Sequence, residues 1–209
     1  MRQALSSEMA AGGAWALLAV SFRYPRPDLH ESLRGGGFAA ELALEMGRLG
    51  LGELPELGDL ARLSLDLTDR FDLFESAYID ALDLADAKRG PSPYEASYSP
   101  GQAADVLLNV KRHYVDSGLN VGPAERPDHV AVELEFLAHL ASRQSDPTEG
   151  EMFREAERRF LAAHLSHWMP AFSERLAERP GMEVHAKLAA IAGILGKARA
   201  LASSGPAEA

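Results

Sequence analysis

Three short stretches carry the side chains best placed to do chemistry. The first is Pro127-Asp128-His129-Val130-Ala131-Val132-Glu133-Leu134-Glu135-Phe136-Leu137. On a helical projection Val130, Leu134, Leu137 and Ala141 form one apolar line, widened by Phe136 and Leu140. Glu133 falls inside that arc and His129 lies one turn earlier at its edge. Asp128, Glu135 and His139 take the polar side. A carboxylate on an apolar face is costly unless partnered. Glu133 is therefore expected to be hydrogen-bonded, with His129 at i, i+4 as a candidate partner. It serves either as a buried anchor or as the polar floor of a groove. Asp128 is expected to cap the first helical turn, and Asp128 and His129 to be exposed.

The second stretch is Pro91-Ser92-Pro93-Tyr94-Glu95-Ala96-Ser97-Tyr98. Prolines stiffen it, and its tyrosines and acid suit a peptide-binding loop. Tyrosines pinning a loop to the core would look the same. The third is Phe160-Leu161-Ala162-Ala163-His164-Leu165-Ser166-His167-Trp168. His164 lies between Phe160 and Trp168 on the apolar arc and reads as a satisfied core histidine. The His164/His167 pair has metal-ligand spacing, and Glu135 and His139 are i, i+4 neighbours. A metal-dependent helical enzyme built on these four is the weaker reading, because the paired Glu-x-x-His set of di-iron bundles is missing. No phosphate loop, dinucleotide fingerprint or Gly-x-Ser-x-Gly elbow occurs. The chain has no cysteine, which excludes a cysteine nucleophile, thiolate-bound clusters and disulfides.

Helices must position these residues. Ala, Leu, Glu and Arg dominate, all strong helix formers, and period-2 alternation is nearly absent. Breakers separate about eight helices, over residues 6–23, 38–49, 55–65, 68–87, 102–117, 128–142, 151–168 and 183–202. Pro170 is expected to interrupt the seventh. Loop 89–101 holds the second stretch. Residues 118–127, with two glycines and two prolines, are expected to form a hinge between lobes of about 1–117 and 128–203 within one domain, with a flexible tail at 204–209.

With 209 residues, 46% apolar and 25% charged, the chain can bury one core. Its net charge of −10 argues against nucleic acid and anionic lipid and suits a basic partner. The apolar run 10–20 is too short to span a bilayer and lacks a good cleavage site. It is expected to be a buried helix ending before Pro25, which makes the cytoplasm the expected compartment.

Together these segments resemble the TorD/DmsD/NarJ family of redox-enzyme maturation chaperones. Glu125-Arg126-Pro127-Asp128-His129, running into Glu133-Leu134-Glu135-Phe136, is similar to that family's hinge signature. Pro93-Tyr94-Glu95-Ala96-Ser97-Tyr98 is similar to its loop, with Ala96 placed before the serine. His164-Leu165 with Trp168, and Phe22-Arg23-Tyr24-Pro25, resemble its later and opening elements. The resemblance implies an all-helical chaperone, no enzyme, that binds the precursor of a molybdoenzyme catalytic subunit, often at its twin-arginine signal peptide. It would hold that client for molybdenum-cofactor insertion. The molybdopterin belongs to the client, no permanent cofactor is implied, and weak nucleotide binding is known in kind for relatives. The implied binding residues are Glu125, Pro127, Asp128, His129, Pro93, Tyr94, Glu95 and Tyr98. Leu73 and Phe74 would add apolar surface, and Glu133, His164 and Trp168 would be anchors. Carboxylates beside an apolar groove are what an arginine-bearing peptide needs. The alternative is a permanent structural subunit of a redox complex. A monomer and a hinge-exchanged dimer are both compatible with the sequence.

Overall fold

The computed structural model describes residues 2–84, 90–122 and 125–202. The tail at 204–209, part of the expected hinge and residues 85–87 of the expected fourth helix lie outside them. Among the described residues the chain is all-α, with ten α-helices. They are α1 (Arg2–Ser21), α2 (Pro27–Arg34), α3 (Gly37–Arg48), α4 (Pro55–Leu65), α5 (Phe71–Tyr78), α6 (Ala103–Asp116), α7 (Val130–Arg143), α8 (Gly150–Ala163), α9 (Leu165–Ala177) and α10 (Glu183–Ala202).

Two differences raise the count from eight. The sequence reading places no helix between the breakers at Pro25–Pro27 and Gly35–Gly37, yet α2 forms there. Pro27 occupies the first turn, where its missing N–H is no loss, and Gly36 (φ 75°) turns the chain into α3. The expected seventh helix breaks at His164 (φ −127°, ψ −91°), not at Pro170, which is accommodated inside α9. The expected fourth helix is shorter: α5 runs into a π-helical turn at Ile79–Asp83.

One hydrophobic cluster runs through the fold. α1 lies along α7, and α9 along α10. Trp15, Leu18 and Phe22 of α1 are fully buried. α1 runs close to the α7 backbone at Gly12, where a Cβ would sit in ordinary contact 3.5 Å from Ala138 O. α10 is buried on most sides, from Val184 to Gly196, which explains why its sequence shows little amphipathic period. Polar groups staple the helices from within. Glu157 is fully buried and accepts from Trp15 Nε1 (3.2 Å), Gln144 Nε2 (2.6 Å) and Arg199 Nη2 (2.6 Å).

His185 of α10 is 1% exposed, stacked on Phe74 with centroids 5.5 Å apart and hydrogen-bonded to the Ser21 backbone. Burial pulls its pKa down to about 4 from 6.5. Below pH 6.5 the unfolded chain takes up a proton that the folded chain refuses until about pH 4. The stability this neutral ring contributes is therefore full above 6.5 and is lost as pH falls through that window. Acid unfolding curves of His185→Phe are expected to lose a slope worth about 3 kcal/mol between those limits. An unchanged pH profile would sink this assignment.

Candidate functional site

The loop from Gly90 to Gly101 is clasped to the start of α7 by backbone pairing. Val130 N–H donates to Pro93 O (2.8 Å) and Glu95 N–H to Asp128 O (3.0 Å), an isolated antiparallel bridge centred on Tyr94 and His129. Glu95–Ser97 then make one 3₁₀ turn. Tyr114 Oη, from α6, donates to Pro127 O at 2.7 Å and fixes the chain just before α7. The loop and hinge residues nominated by sequence are thus one structural unit.

Their roles within it differ from expectation. Asp128 is fully buried, not exposed. Its carboxylate takes Arg126 Nε (3.0 Å) and Nη2 (2.8 Å) and the Ala96 N–H (3.3 Å), so it ties the loop rather than capping α7. The cap is His129, whose Nδ1 accepts from Ala131 N–H at 3.1 Å. That bond and the i, i+2 geometry take His129 away from Glu133. Burial, helped by the charge of Arg23, holds the His129 pKa down to about 4, as a cap that must stay unprotonated requires. Arg126 also lies over the Tyr94 ring, 4.0 Å from its centroid, and Tyr94 meets His129 edge-on at 5.3 Å.

Glu95 is buried as well, 4% exposed. His164 Nδ1 is 2.9 Å from both its carboxyl oxygens, and His164 Nε2 is 3.0 Å from Asn109 Oδ1. The helix break at His164 is what turns this ring inward. Glu133 accepts from Trp168 Nε1 at 3.2 Å. Burial pushes its carboxyl well above the ordinary range, and the neighbouring Glu95 carboxyl adds to the shift. Tyr98 packs on Trp168 (5.4 Å) and accepts the Ser92 N–H at 2.9 Å, with Arg175 over its ring at 4.6 Å. Phe74 is not brought to this unit. It is 3% exposed, between the rings of His30 and His185, because its position on α5 faces the core; its neighbour Leu73 is exposed.

The accessible carboxylates are elsewhere. Arg23, at the end of α1, donates to Glu135 (2.9 and 2.6 Å) and to Glu125 (2.9 and 3.4 Å). Those two glutamates raise the Arg23 pKa, Glu135 most strongly. Glu125 and Glu135 are 46% and 48% exposed and both line a cleft of about 230 Å³. Leu119, Val121, Val132 and Phe136 give this cleft an apolar wall. Sequence reasoning had Glu125 but missed Arg23 and Glu135 as its neighbours. The available signal was a lone arginine in Phe22-Arg23-Tyr24 facing the polar side of α7.

Paired acids and an apolar wall line this cleft, beside the clasped aromatic loop. Residues 52–174 match the nitrate reductase delta subunit family. The chain belongs to that family. It is 33% identical over 148 residues to the selenate reductase assembly chaperone protein of Thauera selenatis, covering 64% of this chain and 77% of the relative. It is 35% identical over 109 residues to the chlorate reductase assembly chaperone protein of Ideonella dechloratans, covering 49% and 56%. It is 30% identical over 111 residues to the chaperone protein TorD of Vibrio cholerae serotype O1, covering 48% and 49%. The last two matches thus span about half of each relative. No solved structure matches the chain.

Among the described residues no three His, Cys, Asp or Glu side chains are grouped to hold a metal ion. Of the four candidate ligands, His164 faces Glu95 and Asn109, His167 bonds to Ala162 O, Glu135 is taken by Arg23, and His139 meets the Phe153 ring edge-on. No helix among them is long and apolar enough to cross a membrane.

Proposed function

We propose that this protein is a cytoplasmic assembly chaperone, without catalytic activity, for the catalytic subunit of a DMSO-reductase-type molybdoenzyme. The observation that carries the reading is membership of a family whose matched relatives are named as reductase assembly chaperones. The client segment enters the cleft between residues 119–122, Glu125 and α7. Its arginine takes the place of Arg23 against Glu125 and Glu135, and its apolar residues lie on Val132 and Phe136. The acidic surface of the chain steers such a segment inward. Two charge-assisted bonds are lost in a Glu125→Gln/Glu135→Gln variant, so affinity for a twin-arginine peptide is expected to fall by about tenfold or more. Arg23→Gln, which removes the internal competitor, is expected to tighten binding. Titration calorimetry with the synthetic peptide reads both. Equal affinity in the double variant overturns the site.

The family's description as a subunit favours one second reading, a protein retained in the finished enzyme. Capture of the tagged protein from its native cytoplasm separates the two. A chaperone brings down precursor with its signal peptide intact. A retained subunit brings down mature, cofactor-loaded enzyme.

A further inference from the structure

Away from the clasp, α5 spends only its inner face on the core, where Phe74 and Tyr78 are buried. Its outer face carries Leu73 and Ala77 at i, i+4, a ridge along the helix, and Leu73 is half-exposed. Two hollows meet at this ridge and share both residues. One, of about 390 Å³, opens toward α4 and the start of α10, with Leu63, Leu67 and Val184 as its apolar wall. The other, of about 330 Å³, opens toward Asp80 of the π-helical turn and toward Arg179 and Pro180 before α10. Gly181 (φ 80°) brings the chain against α5, where a Cβ would lie 2.9 Å from the Ala77 Cβ. Only glycine suits that turn and that approach.

Charge narrows the choice of occupant. Asp66 and Glu183 border the first hollow and Asp80 the second, and Arg179 is the only base among the described lining residues. Glu183 accepts the Gly181 N–H at 3.3 Å. The Asp66 and Asp80 carboxylates have no hydrogen bond or ion pair among the described residues. A ridge between hollows accepts the ridges of a second helix, and carboxylates without a cation favour a basic one. We propose that the α5 groove docks an amphipathic helix of a partner protein. Its large apolar side chains fill the two hollows astride Leu73 and Ala77, and its lysines or arginines face Asp66, Asp80 and Glu183. The groove shares no lining residue with the Glu125–Glu135 cleft and stands without the client reading.

The test is fluorescence anisotropy of a labelled synthetic helix, with leucines at i, i+3, i+4 and i+7 and lysines beside them, titrated with the full chain. The control is a peptide of the same composition whose scrambled order spreads the leucines all round. The amphipathic helix is expected to bind saturably, about tenfold or more tighter than the scrambled peptide, and more weakly as salt rises. Leu73→Asp is expected to keep the wild-type thermal midpoint and to weaken binding by about tenfold or more. Asp66→Asn/Asp80→Asn should weaken it and flatten its salt dependence. Leu108→Asp, at an exposed leucine of α6, leaves it unchanged. Equal affinity for the two peptides, or unchanged affinity in Leu73→Asp, overturns the proposal. So does a twin-arginine peptide that loses affinity in Leu73→Asp, which would assign the groove to the client segment. Self-association in sedimentation that Leu73→Asp abolishes would assign it to a second copy and overturn the proposal equally.

Discussion

Replacing Arg199 with alanine is expected to lower the folding stability by about 3–5 kcal/mol, the cost of leaving a buried charge pair without one member. Its guanidinium donates to Glu157 (3.1 and 2.6 Å), Glu8 (3.1 Å) and Gln144 (2.8 Å), and its side chain is only 11% exposed. Without it Glu157 keeps the neutral donors Trp15 and Gln144, while Glu8 keeps Arg154 at 3.2 Å. A buried carboxylate supported only by neutral groups is poorly stabilised. Because the cluster joins α1, the end of α7, α8 and α10, the loss is global. The urea midpoint should move with the slope unchanged. Arg199→Lys keeps the charge but not the fork, and should fall between the two. A loss under about 1 kcal/mol would mean that the surrounding helices, not this cluster, fix α10.

Glu95→Ala is expected to destabilise the chain on the order of 3 kcal/mol, and its effect should centre on the loop. The carboxyl is the contact that draws the 3₁₀ turn onto His164, so its loss leaves a buried imidazole nitrogen without a partner and the loop held by its backbone bridge and Tyr98. Trp168 reports this directly, since its ring touches Tyr98 and its N–H donates to Glu133. Its emission should shift to the red as the loop lifts and water enters. The change also acts on Glu133. A carboxyl whose folded pKa is raised contributes fully below its ordinary value of 4.5, and that contribution is lost as pH rises through the folded value. Removing Glu95 removes one cause of the rise, so the loss of stability with increasing pH should still begin near 4.5 but end at a lower pH and be smaller in total. Unshifted emission would show that Glu95 does not hold the loop.

The sequence made the class of fold legible because helix formers and breakers alternate along it, and the apolar arc of α7 is buried as the projection requires. The departures share one cause: periodicity gives a residue's face but not its partner. Asp128 looks like an exposed cap until Arg126 and Ala96 are placed around it. Glu95 looks like a surface acid until His164, 69 residues away, arrives beside it. Arg23 and Glu125 are 102 residues apart and share no local pattern. The break at His164 was hidden for the same reason, since Pro170 was the stronger local signal and the pull on His164 is tertiary.

The pairing of α1 with α7 and α10 has a consequence for how the protein is made. Trp15, Leu18 and Phe22 leave the ribosome early, yet α7 and α10, which pack on α1, come far later, and Glu8 waits for Arg199 across 191 residues. At bacterial elongation rates α10 follows α1 by roughly ten to thirty seconds. Throughout that interval α1 has α3 to pack on but lacks α7 and α10. This protein, which would shelter another chain during its maturation, must itself be sheltered during its own synthesis.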